Sequence, residues 1–165
     1  MVIRYRRRAA MHVEFTEAHT LEFAPTVRQL FGEYAAWLGV NLSFQDFETE
    51  LATLPGKYSP PHGAILLAHV DGLLAGCVAM RPITPSCCEM KRLWLREPFR
   101  GCGLGTLLTQ TILERAQRAG HKCMRLDTLS HMHAALALYR RLGFVEIPPY
   151  YPNPLAGTVY LEKLL

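Results

Sequence analysis

The sequence predicts a mixed α/β fold of the α+β kind, with helices packed on a mostly antiparallel sheet. Three observations point there. Short alternating or continuous apolar runs of strand length are interleaved with helical stripes. Asp71-Gly72 sits between two apolar runs, the strongest short signal for a tight hairpin. A glycine-rich turn, Gly101 to Gly105, joins a strand to a long amphipathic helix.

Each element follows in order. His12-Val13-Glu14-Phe15 alternates and reads as a first strand. Pro25 opens a helix whose face carries Val27, Leu30, Phe31, Tyr34, Trp37 and Leu38, and Gly39 is placed to end it. Ser43, with Asp46 three residues on, resembles a capping box for a second helix bearing Phe44, Phe47 and Leu51. Leu54-Pro55-Gly56 stops it, and Pro55–Gly63 is expected to be loop. Ala64–Arg81 reads as the hairpin and Cys88–Leu95 as a third strand beside it. Leu104–Ala119 is a helix closed by Gly120. Cys123–Thr128 is a strand, and Ser130 is expected to cap a helix running to about Leu142 before Gly143. Phe144–Ile147 and Thr158–Leu161 close the chain as strands. The predicted order is β-α-α-β-β-β-α-β-α-β-β.

Composition bounds the rest. The 165 residues are half hydrophobic and 19% charged, which excludes disorder, collagen and coiled coil. One domain of this length buries roughly 70% of its unfolded surface. The longest apolar stretch, Ala64–Met80, is interrupted by His69, Asp71, Gly72 and Gly76, so no membrane span is expected. Arg4, Arg6, Arg7 and Arg8 carry the whole net charge of +4, and residues 11–165 balance fourteen bases against fourteen acids. A nucleic-acid partner is therefore not expected, because that binding needs clustered bases on the domain itself. Residues 1–10 read as a flexible basic extension and residues 11–165 as a single domain. Cys77, Cys87, Cys88, Cys102 and Cys123 show no metal-ligand spacing, so no metal is expected. They read as buried free thiols in a reducing cytoplasm.

The segment from Leu93 to Thr106 carries the chemistry. Glycines at 101, 103 and 105 let the backbone approach a ligand, and the bare N–H groups of the first helical turn face the same space. That is a seat for a phosphate or pyrophosphate. No Gly-Lys-Ser/Thr follows, and the G-x-G-x-G spacing is not the dinucleotide fingerprint.

Arg100-x-x-Gly103-x-Gly105 before an amphipathic helix resembles the acyl-CoA signature of the GNAT superfamily of N-acetyltransferases. Leu138-Tyr139-Arg140-Arg141-Leu142-Gly143-Phe144 is similar to the late helix of that family. The segments Glu89–Leu93, Arg125–Leu129 and Tyr150–Pro154 resemble a group of bacterial members of mostly unassigned substrate. The resemblance covers about residues 11–165. It implies helices on both faces of the sheet and a splayed central strand pair. It implies acetyl-CoA as co-substrate and a small-molecule or peptide amine as acceptor, in a monomer or homodimer. Leu93, Trp94 and Leu95 would pair with the pantetheine arm. Arg100, Gly101, Cys102, Gly103, Leu104, Gly105 and Thr106 would hold the pyrophosphate. Two positions depart from the family pattern: Glu97 stands where Pro is common, with Pro98 displaced by one, and Met132 stands where Asn is common.

Transfer to an amine needs a base, because an alkylamine is protonated at neutral pH. Glu89 is the candidate base, placed on the central strand like a catalytic Glu in the histone-acetyltransferase branch of the family. Its alternative is an ion pair with Lys91 or Arg92, Lys91 sharing its strand face and Arg92 lying on the other. Tyr139 is the candidate acid for the departing thiolate. Pro55–Gly63 and Pro148–Pro154, with Tyr150 and Tyr151, are candidates for acceptor recognition. The alternative function is a catalytically silent acyl-CoA-binding module, against which the presence of both Glu89 and Tyr139 argues.

Overall fold

The computed structural model describes residues 11–165; the basic extension at residues 1–10 lies outside the described residues. Seven strands form one sheet: β1 (Val13–Glu17), β2 (Ala64–Val70), β3 (Leu73–Pro82), β4 (Cys87–Leu95), β5 (Cys123–Leu129), β6 (Val145–Ile147) and β7 (Thr158–Leu164). Four helices join them: α1 (Ala24–Leu38), α2 (Phe47–Ala52), α3 (Leu104–Arg118) and α4 (His133–Arg141). The spatial order is β1-β2-β3-β4-β5-β7-β6. Every neighbouring pair is antiparallel except β4 and β5, which run parallel because α3 lies between them in the chain. The predicted element order and the mostly antiparallel sheet match this architecture.

Both faces are covered. On one, Leu104, Leu108, Ile112 and Ala116 of α3 and Leu136 and Tyr139 of α4 pack on Leu66, Met80, Met90, Met124 and Leu126. On the other, Val27, Leu30 and Phe31 of α1 and Phe47 of α2 pack on Ile65, Leu67, Cys77, Ala79 and Trp94. Asp71 and Gly72 both take positive φ, 50° and 79°, as the two-residue turn between β2 and β3 requires.

Two local features set up the site. β4 pairs with β5 only at Cys87–Cys123, Cys88–Met124 and Glu89–Arg125, and beyond that the strands part. This is the splayed pair. Opposite them, the β3–β4 register shifts, so that Val78 faces both Arg92 and Leu93. Arg92 sits at φ 59° in this bulge. Gly76 permits the close approach there, since a Cβ would fall 2.1 Å from the Trp94 carbonyl oxygen.

The bulge corrects one expectation. Strand alternation placed Arg92 opposite Lys91, but the extra residue resets the parity. Lys91, Arg92 and Trp94 all reach the α1/α2 side, while Leu93 and Leu95 pack against the α3/α4 core. Other differences are also local. Ser43 starts a 3-10 turn to Gln45, and Asp46, at φ 58°, separates that turn from α2. The Ser43 N–H donates to Asn41 Oδ1 and Asp46 accepts from Thr49, so no capping box forms. Ser130 does not cap α4: its N–H donates to Gly157 in the loop before β7, and the helix starts at His133. The segment Pro55–Gly63 holds a 3-10 turn that buries Tyr58 in the core and leaves Gly56, Lys57, Ser59, Pro60, Pro61 and His62 exposed.

The cysteine expectation fails in part. Cys87 and Cys123 form a disulfide, because they are register partners in the parallel pair with Cα atoms 4.7 Å apart. Thirty-six residues of separation gave no hint of that neighbourhood. Cys77 and Cys88 are buried free thiols, and Cys102 is free but exposed.

Candidate active site

Where β4 and β5 part, a cavity of about 1240 Å³ passes between the two faces of the sheet. Its walls divide into a backbone half and a side-chain half.

The backbone half is the turn before α3. Gly103 takes φ 88° at the helix start, a conformation open to glycine, and nothing lies within 4 Å of where its Cβ would be. The first intrahelical bond is donated by Leu107 to the Gly103 carbonyl, so the N–H groups of Leu104, Gly105 and Thr106 have no partner in the helix. Gly101, Gly103, Gly105 and Thr106 border the cavity, as do Leu93, Trp94 and Leu95. Arg100 borders it too. Its Nε donates to the Leu95 carbonyl at 2.8 Å, and its guanidinium lies 4.7 Å from the Trp94 ring and 5.4 Å from the Trp37 ring. This half fits an anionic, phosphate-bearing ligand with an extended arm along β4. At two of these positions the side chain points away from the ligand space, as a main-chain seat allows. The Leu104 side chain is fully buried in the α3 core, leaving only its N–H toward the site, and Cys102 turns outward with its thiol on the Phe99 carbonyl.

Tyr139 of α4 borders the same cavity, packed edge-on against Phe144. Burial pushes its phenol well above the ordinary tyrosine range, which keeps the proton on the oxygen. Among the described residues, no protein group bonds that hydroxyl. Met132, at the departure from the family pattern, also lies on the wall and accepts a contact from the Thr128 hydroxyl at 3.5 Å.

Glu89 is placed differently from Tyr139. It is 1% exposed and lies behind the cavity wall rather than on it. Its carboxylate accepts from Arg81 Nε at 2.9 Å and from the Tyr150 hydroxyl at 2.8 Å. The ion-pair alternative is therefore realised, but with Arg81 in place of Lys91 or Arg92. Arg92 instead binds Glu50 at 2.6 Å, and the Lys91 ammonium donates to Gln45 Oε1 at 2.9 Å.

The residue that sequence reasoning missed is Asp127. It lies on β5, borders the cavity, and projects to the same sheet face as Glu89 and Lys91. Burial raises its carboxyl above the usual range; the Lys91 charge, the Tyr151 hydroxyl and Arg92 oppose that rise. The available signal was an acid between Leu126 and Thr128 in a central strand. Its position opposite Lys91 needed the register of β4 on β5. The predicted Tyr150–Tyr151 segment does reach this half. The Tyr151 hydroxyl accepts from Asn153 at 3.0 Å and from Gln45 at 3.4 Å, and Tyr150 holds Glu89.

Residues 24–144 match the family model described as the acetyltransferase (GNAT) family. The chain is 43% identical over 137 residues to an uncharacterised N-acetyltransferase of Schizosaccharomyces pombe, covering 82% of this chain and 84% of that one. It is 30% identical over 215 residues to an uncharacterised N-acetyltransferase of Dictyostelium discoideum, covering 93% and 99%. Both relatives are eukaryotic, so the likeness is not confined to bacterial members. The solved structure of RimL, a ribosomal L7/L12 alpha-N-protein acetyltransferase in complex with coenzyme A, superposes with a TM-score of 0.71 at 20% identity, covering 93% of this chain and 94% of that one.

Proposed function

Since the chain belongs to the GNAT family of acetyltransferases, we propose that it carries an acetyl group from acetyl-CoA to a primary amine through the gap between β4 and β5. It is an N-acetyltransferase, hence an acyltransferase. The observation that carries the detailed reading is the continuity of the cavity. Bare helix N–H groups line one end, and a half-buried carboxylate and a buried ammonium line the other. Acetyl-CoA supplies the thioester.

The chain's own residues then divide the work. The N–H groups of residues 104–106 hold the pyrophosphate, with the positive end of α3 behind them. Leu93 to Leu95 present a strand edge that β5 leaves unpaired, so an extended arm lies along it as an added strand. Asp127 receives the proton of the acceptor ammonium, and burial makes its carboxylate a stronger proton acceptor than an exposed one. The amine nitrogen then bonds the acyl carbon and the carbon–sulfur bond breaks. Tyr139 donates its proton to the departing thiolate and is refilled by the second proton that the amine nitrogen sheds as the amide forms. Glu89 acts behind this site, fixing Tyr150 through its pairing with Arg81. The base role expected of Glu89 passes to Asp127, because Asp127 borders the cavity and Glu89 does not.

Mixing the protein with acetyl-CoA and a panel of primary amines, and reading free thiol, tests the proposal. Thiol release that depends on the amine is the expected result. Acetyl-CoA binding without release for any amine would favour a silent binding module instead.

A further inference from the structure

The acceptor half of the cavity has an unusual charge balance. Three cations on or behind its wall are matched at short range: Arg81 with Glu89 at 2.9 Å, Arg92 with Glu50 at 2.6 Å and Arg125 with Glu162 at 2.7 Å. Lys91 and Asp127 are not. Lys91 is 6% exposed, and among the described residues its ammonium has one hydrogen bond, to the neutral Gln45 amide oxygen. No carboxylate stands within ion-pair distance of it, and no cation stands so near Asp127. A buried ammonium offers three donors, so part of its capacity is unfilled. Leaving such charges unmatched is costly in a folded chain unless something else compensates them.

Their placement says what that something is. The β4–β5 register pairs Cys87 with Cys123 and Glu89 with Arg125. Two residues further on, the same register sets Lys91 opposite Asp127, at the point where the strands have parted. Both project to the α1/α2 side and both border the cavity. One cation and one anion thus face each other across a gap wider than a strand pair. The other groups on the α1/α2 side of that gap are Tyr34, Gln45, the Arg92–Glu50 pair and the Tyr151 hydroxyl, which bonds Asp127; Arg141 and His131 border the cavity from the α4 side.

Resting on the acetyl-transfer reading above, we propose that the acceptor is a small amine that also carries a carboxylate, as a free amino acid does. Asp127 takes the ammonium and Lys91 takes the carboxylate. A zwitterion of this kind neutralises the buried Lys91 and the half-buried Asp127 at once and spans the gap. It also fixes the nitrogen on the side from which the thioester carbon is reached. A diamine would place a second cation beside Lys91, and a peptide N-terminus would offer it an amide carbonyl in place of a charge.

The test uses the full chain, acetyl-CoA, and the twenty common amino acids, each as the free acid and as its primary amide. Free thiol release gives kcat/KM for every pair. For the best acceptor the free acid is expected to exceed its amide by roughly 10- to 100-fold, the size of a charged hydrogen bond. In Lys91→Met that ratio should fall toward one, and in Lys91→Arg most of it should persist. The ratio is taken within one protein preparation, so partial loss of folding cancels, and calorimetric binding of acetyl-CoA reports that the variants are folded. A ratio near one in the unaltered chain, an unchanged ratio in Lys91→Met, or no acetylation of any free acid would overturn the proposal. A parallel arm with diamines and arylalkylamines separates the two readings. Thiol release in that arm alone refutes the carboxylate site and leaves amine acetylation standing; silence in both arms refutes acetylation itself.

Discussion

The two halves of the cavity are built from different materials. The cofactor half is made of backbone: glycines at positive φ, three bare N–H groups and a strand edge. The acceptor half is made of side chains drawn from α1, β4, β5 and the segment before β7, held by Gln45, Glu50, Tyr150 and Tyr151. A backbone site depends on conformation and tolerates side-chain change where no Cβ intrudes. A side-chain site depends on identity and register. The first can be shared across a family; the second is where one member differs from another.

Substitutions can break that contrast. The largest effect is expected at Tyr139, which lies on the cavity wall. Tyr139→Phe keeps the ring packed on Phe144 and removes the hydroxyl. Turnover should fall by roughly 10²- to 10⁴-fold, the span for a general acid, with acetyl-CoA affinity little changed. An unaltered kcat with a matched amine would return Tyr139 to packing alone.

Next comes the backbone half. Gly103→Glu forces a side chain onto φ 88° and sets a negative charge at the helix start. Acetyl-CoA affinity by calorimetry should drop by about 10-fold or more, each charge-assisted bond being worth roughly 1.5–3 kcal/mol. Full affinity in a folded variant would remove the pyrophosphate from this turn.

The smallest catalytic effect is expected at Glu89. Glu89→Gln keeps the shape and an acceptor for the Tyr150 hydroxyl, but leaves Arg81 without its counter-charge. The melting temperature should fall by several degrees, about 2–4 °C per kcal/mol for a chain of this size, while turnover changes only a few-fold. A collapse of turnover at constant melting temperature would place Glu89 in the chemistry after all.

The same contrast explains what could be read from sequence. Arg100-x-x-Gly103-x-Gly105 was legible because a backbone site leaves its signature in consecutive residues. So was the hairpin at Asp71-Gly72. The acceptor half was not, because its members lie far apart in the chain. Lys91 meets Gln45 across 46 residues, Glu89 meets Tyr150 across 61, and Cys87 finds Cys123 across 36. The bulge at Arg92 hid a second layer. Simple alternation sends Arg92 to the wrong face, and one extra residue brings it beside Lys91. Asp127 shows the limit most clearly: its role depends on where β4 and β5 stop pairing, which no periodicity records.

The most direct measurement is the pH profile of kcat/KM for Asp127→Asn beside the unaltered chain, with one amine acceptor. Burial holds the Asp127 carboxyl above the ordinary carboxylate range, so the unaltered profile should fall on the acid side at a higher pH than a solvent-exposed carboxylate would give. Asp127→Asn should lower the neutral-pH rate by roughly 10²- to 10⁴-fold. It should recover toward high pH as the amine deprotonates in solution, with acetyl-CoA affinity unchanged. A variant that kept the neutral rate and the same acid limb would contradict the assignment of Asp127 as the base in this cavity.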